Sequence, residues 1–217
     1  MPERTALVTG GAGGLGRSVV AALVADDWDV VVPVEAGSDL DAADNITTVV
    51  ADLTDPDDVA RALRAAPEPL KAVVNLVGGF AASQPVETTP LEAFERLFTL
   101  NLRPTYLVTQ AALPRLRSEG GAIVCVGSAA ALEPFAGAAG YAASKAAVIA
   151  FTKTVALEAE NVRANVILPT MIDTPANREA MPPSEHAKLV PPERIARVVA
   201  FLCDDASAAI NGAAVPV

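Results

Sequence analysis

The chain has 217 residues, of which 52% are hydrophobic and 19% charged, and its formal charge is −10 from 16 basic and 26 acidic side chains. That length allows one domain with a substantial core, and the apolar content argues against a largely disordered chain. The acidic balance repels phosphate and anionic headgroups, which argues against nucleic-acid binding and electrostatic attachment to a membrane. No stretch approaches the roughly 20 apolar residues of a membrane-spanning helix. No apolar segment follows basic residues at the N-terminus, so a secretory signal is not expected. Cys125 and Cys203 lie in apolar runs without zinc-type spacing, so they read as buried free thiols of a reducing compartment, with no metal. The expectation is a soluble cytoplasmic protein.

In chain order, Thr5 to Thr9 is a short β-prone run, followed by the cluster Gly10-Gly-Ala-Gly-Gly-Leu-Gly16. Arg17 to Ala25 has helical spacing, and Val30 to Val34 reads as a strand that Pro33 brings to its end. Thr47 to Val50 is a third strand. Pro56 to Ala65 is a helix for which Thr54 or Asp55 supplies the cap. Ala72 to Val77 is a strand running into Gly78-Gly79. Leu91 to Leu116 is helical, with Pro104 and Pro114 as kinks or ends. Ala122 to Val126, Val162 to Leu168 and Ala213 to Val217 are strands; Tyr141 to Ala159 and Pro192 to Leu202 are helices. Apolar strands alternating with helices predict an α/β fold: a single Rossmann-type three-layer sandwich, residues 1–217, with about seven parallel strands covered on both faces. The Pro-rich polar stretch 174–192 is long for a connection and is a candidate lid over a substrate.

The glycine cluster joins a strand to a helix. Glycine there permits a tight turn and close backbone approach, and the helix start offers free N–H groups and a positive dipole end to a pyrophosphate. Tyr141 and Lys145 stand four residues apart on one helix face. A free tyrosine titrates near pH 10, about three units above neutrality. An ammonium one turn away stabilises the phenolate, which makes Tyr141 a candidate general acid/base.

The spacing Gly10, Gly14, Gly16, together with Asn101, Ser128, Tyr141 and Lys145 in that order, resembles the short-chain dehydrogenase/reductase family. The resemblance implies an NAD(P)-dependent oxidoreductase that interconverts a carbonyl and a secondary alcohol. It implies that Tyr141 exchanges a proton with the substrate oxygen and that Ser128 orients that oxygen. Lys145 then binds the nicotinamide ribose and supports Tyr141, while Asn101 holds a water leading to solvent. Cofactor contacts are implied at Gly10, Gly14, Leu15, Gly16, Asp52, Leu53, Asn75 and Gly78, and at Pro169, Ile172 and Thr174. Asp52 also reads as a cap. Two of the four residues from Asn75 to Gly78 depart from the family motif, and Thr170 replaces its usual glycine.

Glu35 lies one residue beyond the place of the acidic ribose ligand. Arg17 is the sole cation near the glycine turn, which favours NAD(H) over NADP(H). The segments Asp173 to Arg178 and Gly78-Gly79-Phe80 resemble the dihydropteridine reductase-like branch, although the retained Ser128 speaks for carbonyl chemistry. Phe80, Phe135, Met171 and Met181 are candidate substrate contacts. Resemblance also implies a homodimer or homotetramer built on the helices around 102–116 and 141–159. A non-catalytic nucleotide-sensing or scaffold protein is the alternative from another class.

Overall fold

The computed structural model describes residues 4–38, 40, 43–81 and 84–217. Seven parallel strands form one sheet: β1 (Thr5–Thr9), β2 (Asp29–Val34), β3 (Ile46–Val50), β4 (Leu70–Asn75), β5 (Gly121–Val126), β6 (Val162–Leu168) and β7 (Ala214–Pro216), in the order β3-β2-β1-β4-β5-β6-β7. The central strands are buried on both faces. Ala6 and Val8 of β1 join one core, and Leu7 between them joins the other. That alternation is the two-residue period of a strand inside a covered sheet.

One face carries α1 (Gly14–Ala25) and α7 (Pro192–Cys203), which pack against each other. Val19, Val20 and Leu23 of α1 meet Ile195, Val199 and Leu202 of α7 in one core with Trp28. The other face carries α2 (Pro56–Ala65), α4 (Arg103–Glu119) and α5 (Ala139–Glu158), and α3 (Leu91–Asn101) packs on α4 and α5. Asp55 caps α2, its carboxylate accepting from the amides of Asp57 and Asp58, and Pro56 occupies the first turn. Thr54 is not the cap.

Three expectations shift. Pro33 does not end its strand, because β2 continues to Val34 and pairs with β3 up to Val34↔Val50. The Val30 amide and the Val34 carbonyl bond on the β3 side, so alternation turns Pro33 toward β1. The last β1–β2 pair is Leu7↔Val31; the missing N–H of Pro33 therefore falls beyond that pairing and costs no ladder bond. The segment 91–116 is two helices that part at Leu102, two residues before Pro104, which has no amide for the Leu100 carbonyl and so starts a helix. Pro104 sits in the first turn of α4, where no amide is needed, and Pro114 lies inside α4. The stretch 174–192 contains a short helix, α6 (Pro175–Ala180), and a 3-10 turn at Pro183–Lys188.

Asp55→Ala is expected to lower stability by about 1 kcal/mol through loss of the cap, measured as an earlier midpoint in urea unfolding with an unchanged slope.

Candidate active site

All strands run the same way, so the loops after their carboxyl ends share one edge of the sheet, where the order reverses between β1 and β4. A cleft of about 900 Å³ opens there. Its wall comprises Gly10 to Gly16 after β1, Glu35 after β2, Asp52 and Leu53 after β3, Gly78 to Phe80 after β4, Ser128 after β5 and Pro169 and Ile172 after β6. Thr9 ties the two halves together. Its hydroxyl accepts from the Leu76 amide at 3.1 Å and donates to the Val74 carbonyl at 3.4 Å.

The glycine turn is set by close approach. A Cβ on Gly16 would lie 2.0 Å from the Gly10 carbonyl oxygen, so only glycine lets α1 start against the turn. Gly13 precedes α1 without a side-chain cap, and its first turn holds no acid. Those amides are open to an anion, as a pyrophosphate requires. Arg17 turns back to donate to the Ala12 carbonyl at 3.1 Å. Asp52 caps no helix. Its Oδ1 accepts from the amide and hydroxyl of Thr54, and these bonds hold its carboxyl below the usual range.

The other end of the cleft is organised around Lys145. This lysine is 3% exposed, and its Nζ donates to the Val126 carbonyl at 3.0 Å. Burial pushes its pKa from 10.5 down to about 8. Gly78 leaves the room: a Cβ there would stand 2.6 Å from Asn101 Oδ1 and 3.0 Å from Lys145 Nζ. Asn101 is fully buried at the end of α3. It accepts from the Gly79 amide at 2.9 Å and donates to the Gly79 carbonyl at 3.2 Å and to Ser144 Oγ at 3.0 Å. Asn101 thus clamps the loop after β4 onto α5, and it also marks the helix break.

Ser128 lines the cleft and caps the 3-10 turn Ala129–Ala131, accepting from the Ala130 amide at 3.2 Å. The capping bond uses its oxygen as acceptor and leaves the O–H donor for a substrate oxygen. Tyr141 shares the cleft with Ser128 and Lys145. The Phe80 ring stands edge-on to it, with centroids 5.1 Å apart at 90°, and Phe135 lies 6.2 Å from Phe80 at 45°.

Asn75 is not in the cleft wall. It is buried beneath, where Nδ2 donates to Thr109 Oγ1 at 3.1 Å and contacts Cys125 Sγ at 3.7 Å. A polar residue at the last position of a strand faces into the helix layer as readily as outward, and the sequence does not show which. Met181 and Phe135 also lie outside the wall; the Met181 carbonyl bonds His186 Nε2, and Phe135 reaches the cleft only through its contact with Phe80. Met171 is exposed between the wall residues Thr170 and Ile172. Thr174 reaches the glycine turn, its Cγ2 being 2.7 Å from where a Gly14 Cβ would be, and it caps α6 by accepting from the Asn177 amide. The Ile172 carbonyl accepts from Asn177 Nδ2 and the Thr174 amide. The sequence reading missed Val126, whose contribution is a backbone carbonyl, and Ser144, which the adjacent Lys145 overshadows.

The match to known proteins now decides the family. The model of the short chain dehydrogenase family matches residues 4–184. The chain belongs to that family. It is 34% identical to the 3-oxoacyl-[acyl-carrier-protein] reductase MabA of Mycobacterium tuberculosis, over 99% of this chain and 91% of that protein. It is 33% identical to L-xylulose reductase of Bos taurus, over 99% and 94%. A short-chain type dehydrogenase/reductase from Mycobacterium ulcerans superposes with a TM-score of 0.92 at 28% identity, over 100% of this chain and 89% of that one. The 3-ketoacyl-(acyl-carrier-protein) reductase of Brucella melitensis, solved with NADH, gives 0.88 at 27%, over 99% and 96%. This short-chain dehydrogenase is accordingly an oxidoreductase of the nicotinamide-dependent class, and its glycine turn and the gap at Gly78 suit such a cofactor.

The buried lysine sets a pH dependence. Its ammonium is disfavoured in the folded state, so the unfolded chain binds more protons between the folded and unfolded pKa values. Wild-type stability is expected to rise relative to Lys145→Met as pH increases from about 8 to 10.5, by a few kcal/mol at about 1.4 kcal/mol per unit. Urea unfolding of both proteins across that window checks it, and a falling or flat difference contradicts the buried ammonium.

Proposed function

We propose that this dehydrogenase interconverts a carbonyl and a secondary alcohol, with Tyr141 as general acid/base. The observation that carries the reading is the meeting of Ser128, Tyr141 and Lys145 in one cleft, with the lysine buried behind Gly78. In reduction Tyr141 gives a proton to the substrate oxygen, and in oxidation it takes that proton back. Ser128 donates a hydrogen bond to the same oxygen. The Lys145 ammonium, one helical turn from Tyr141, stabilises negative charge on the phenol oxygen, an effect that low local polarity enlarges. Asn101 positions the loop that carries Gly78. A bound nicotinamide cofactor supplies or accepts the hydride. The amides of the Gly10–Gly16 turn would hold its pyrophosphate, Asp52 and Leu53 its adenine, Lys145 its nicotinamide ribose, and Pro169, Ile172 and Thr174 its carboxamide. Residues 174–192 act as the lid, which the Asp173–Arg178 ion pair braces at its base.

NAD(H) is the favoured cofactor. Glu35 presents a carboxylate at the end of β2, where it accepts from a ribose 2′-OH and repels a 2′-phosphate. Arg17, the nearest cation in sequence, is committed to the Ala12 carbonyl. The relatives named above reduce oxoacyl or sugar carbonyls by their names, which supports carbonyl chemistry over a pterin reductase-like role. The retained Tyr141–Lys145 pair speaks against a non-catalytic sensor. We also infer a homodimer or homotetramer; the exposed Tyr106 on α4 and Leu157 on α5 support it. Two buried free cysteines suit a reducing, cytoplasmic setting. No described helix is long and apolar enough to cross a membrane.

Tyr141→Phe is expected to lower turnover of ketones by roughly 100-fold or more while cofactor binding persists, read from NADH oxidation and nicotinamide fluorescence. Equal turnover by both proteins would refute the role of Tyr141. In the same titration NADH binds more tightly than NADPH, and Glu35→Ala narrows the gap; a wild-type preference for NADPH contradicts the assignment of Glu35. Light scattering after gel filtration is expected to give at least twice the monomer mass, and a monomer at micromolar concentration would rule out the assembly.

A further inference from the structure

We infer that the site selects an uncharged carbonyl compound carrying an aromatic ring, held against Phe80 and Phe135 beside Tyr141. This rests on the carbonyl–alcohol reading above and deepens it by naming the substrate class. Two independent observations carry it.

The first is the aromatic mouth. Phe80 is 56% exposed and Phe135 is 55% exposed. Large apolar side chains held in water around a reactive cluster mark a surface that a ligand covers. Phe80 already meets the Tyr141 ring edge-on and Phe135 at a 45° tilt. A further ring entering this group continues the same edge and tilted contacts, which favour aromatic partners beyond their buried area. An aliphatic chain gains the area alone.

The second is the distribution of charge. Residues 72–86 contain no charged side chain, residues 164–172 contain none, and residues 120–144 contain Glu133 alone. These three segments supply Phe80, Ser128, Phe135, Tyr141 and the wall after β6. The cations of the neighbouring lid are engaged. Arg178 forms a bidentate pair with Asp173, Lys188 pairs with Glu185, and His186 Nε2 bonds the carbonyls of Arg178 and Met181. Lys145 is buried behind the loop after β4 and bonded to the Val126 carbonyl. A carboxylate, sulfonate or phosphate on the substrate would lose its hydration here without gaining a counter-ion, and it would face a protein of net charge −10.

The test compares three ketones as probes: acetophenone, 4-acetylbenzoate and 2-octanone. Each is assayed with NADH and with NADPH, using wild type, Phe80→Ala, Phe80→Trp and Tyr141→Phe. Acetophenone is expected to exceed both others in kcat/KM by about ten-fold or more, the scale of one well-placed apolar contact. Phe80→Ala removes most of its advantage over 2-octanone, chiefly through KM, and Phe80→Trp restores it. A preference for 4-acetylbenzoate or 2-octanone overturns the inference and leaves the carbonyl reading standing. An equal loss on all three ketones in Phe80→Ala does the same, since it makes Phe80 merely structural. Absence of turnover of every ketone, or turnover indifferent to Tyr141→Phe, overturns the carbonyl reading and this inference with it.

Discussion

The reading proposed for this molecule hangs on one buried ammonium. Lys145 is a cation with three donors, yet it sits almost out of water with a single protein acceptor, the Val126 carbonyl. Desolvation works against the charge and brings its pKa to about 8. The same low polarity strengthens the field it exerts on groups beside it. A lysine at the surface would keep its charge with ease and do little for a tyrosine one turn away. The fold therefore holds Lys145 deep enough to matter and shallow enough to stay charged at neutral pH.

That depth is set by backbone. The Val126 carbonyl lies at the end of β5 because β4 and β6 pair with β5 on either side. The loop after β4 passes over the lysine only because residue 78 has no side chain, and Asn101 pins that loop through both polar atoms of Gly79. At the other end of the cleft the same device recurs. Gly16 lets α1 begin against the Gly10 carbonyl and leaves first-turn amides uncapped. Both ends of the site thus depend on positions where a methyl group would collide with a polar partner.

Much of this was legible in the sequence because it is carried by side-chain type and spacing. The strand–glycine–helix start, the Tyr141–Lys145 separation and Ser128 after an apolar strand each have a local signature. What the sequence hid is carried by orientation. The family resemblance implies Asn75 as a cofactor contact, but its side chain turns into the helix layer toward Thr109 and Cys125. Met181 reads as substrate wall by its type, but it lies outside the cleft wall. Pro33 looked like a strand end, yet the register places its missing donor where β1 is no longer paired. In each case the residue type is compatible with two directions, and only the packed sheet chooses between them.

The overall charge sharpens the argument about the cleft. A chain of net charge −10 that receives a dinucleotide must attract an anion against its own field. It does so without a free-standing cluster of side-chain cations at the turn: the lone basic residue there, Arg17, is folded back onto Ala12. Oriented amides and the dipole of α1, which act at short range and leave the outer field acidic, supply attraction beside the charge of Arg17. Beyond the dinucleotide's place the walls lose charge almost entirely. On the reading proposed above, an anionic substrate would meet repulsion outside and no counter-ion within, whereas a neutral ring compound would meet neither obstacle. Cofactor and substrate would then be sorted by different physics on one sheet edge: amide donors for the first, apolar and aromatic surface for the second, with Lys145 and Tyr141 at the boundary between them.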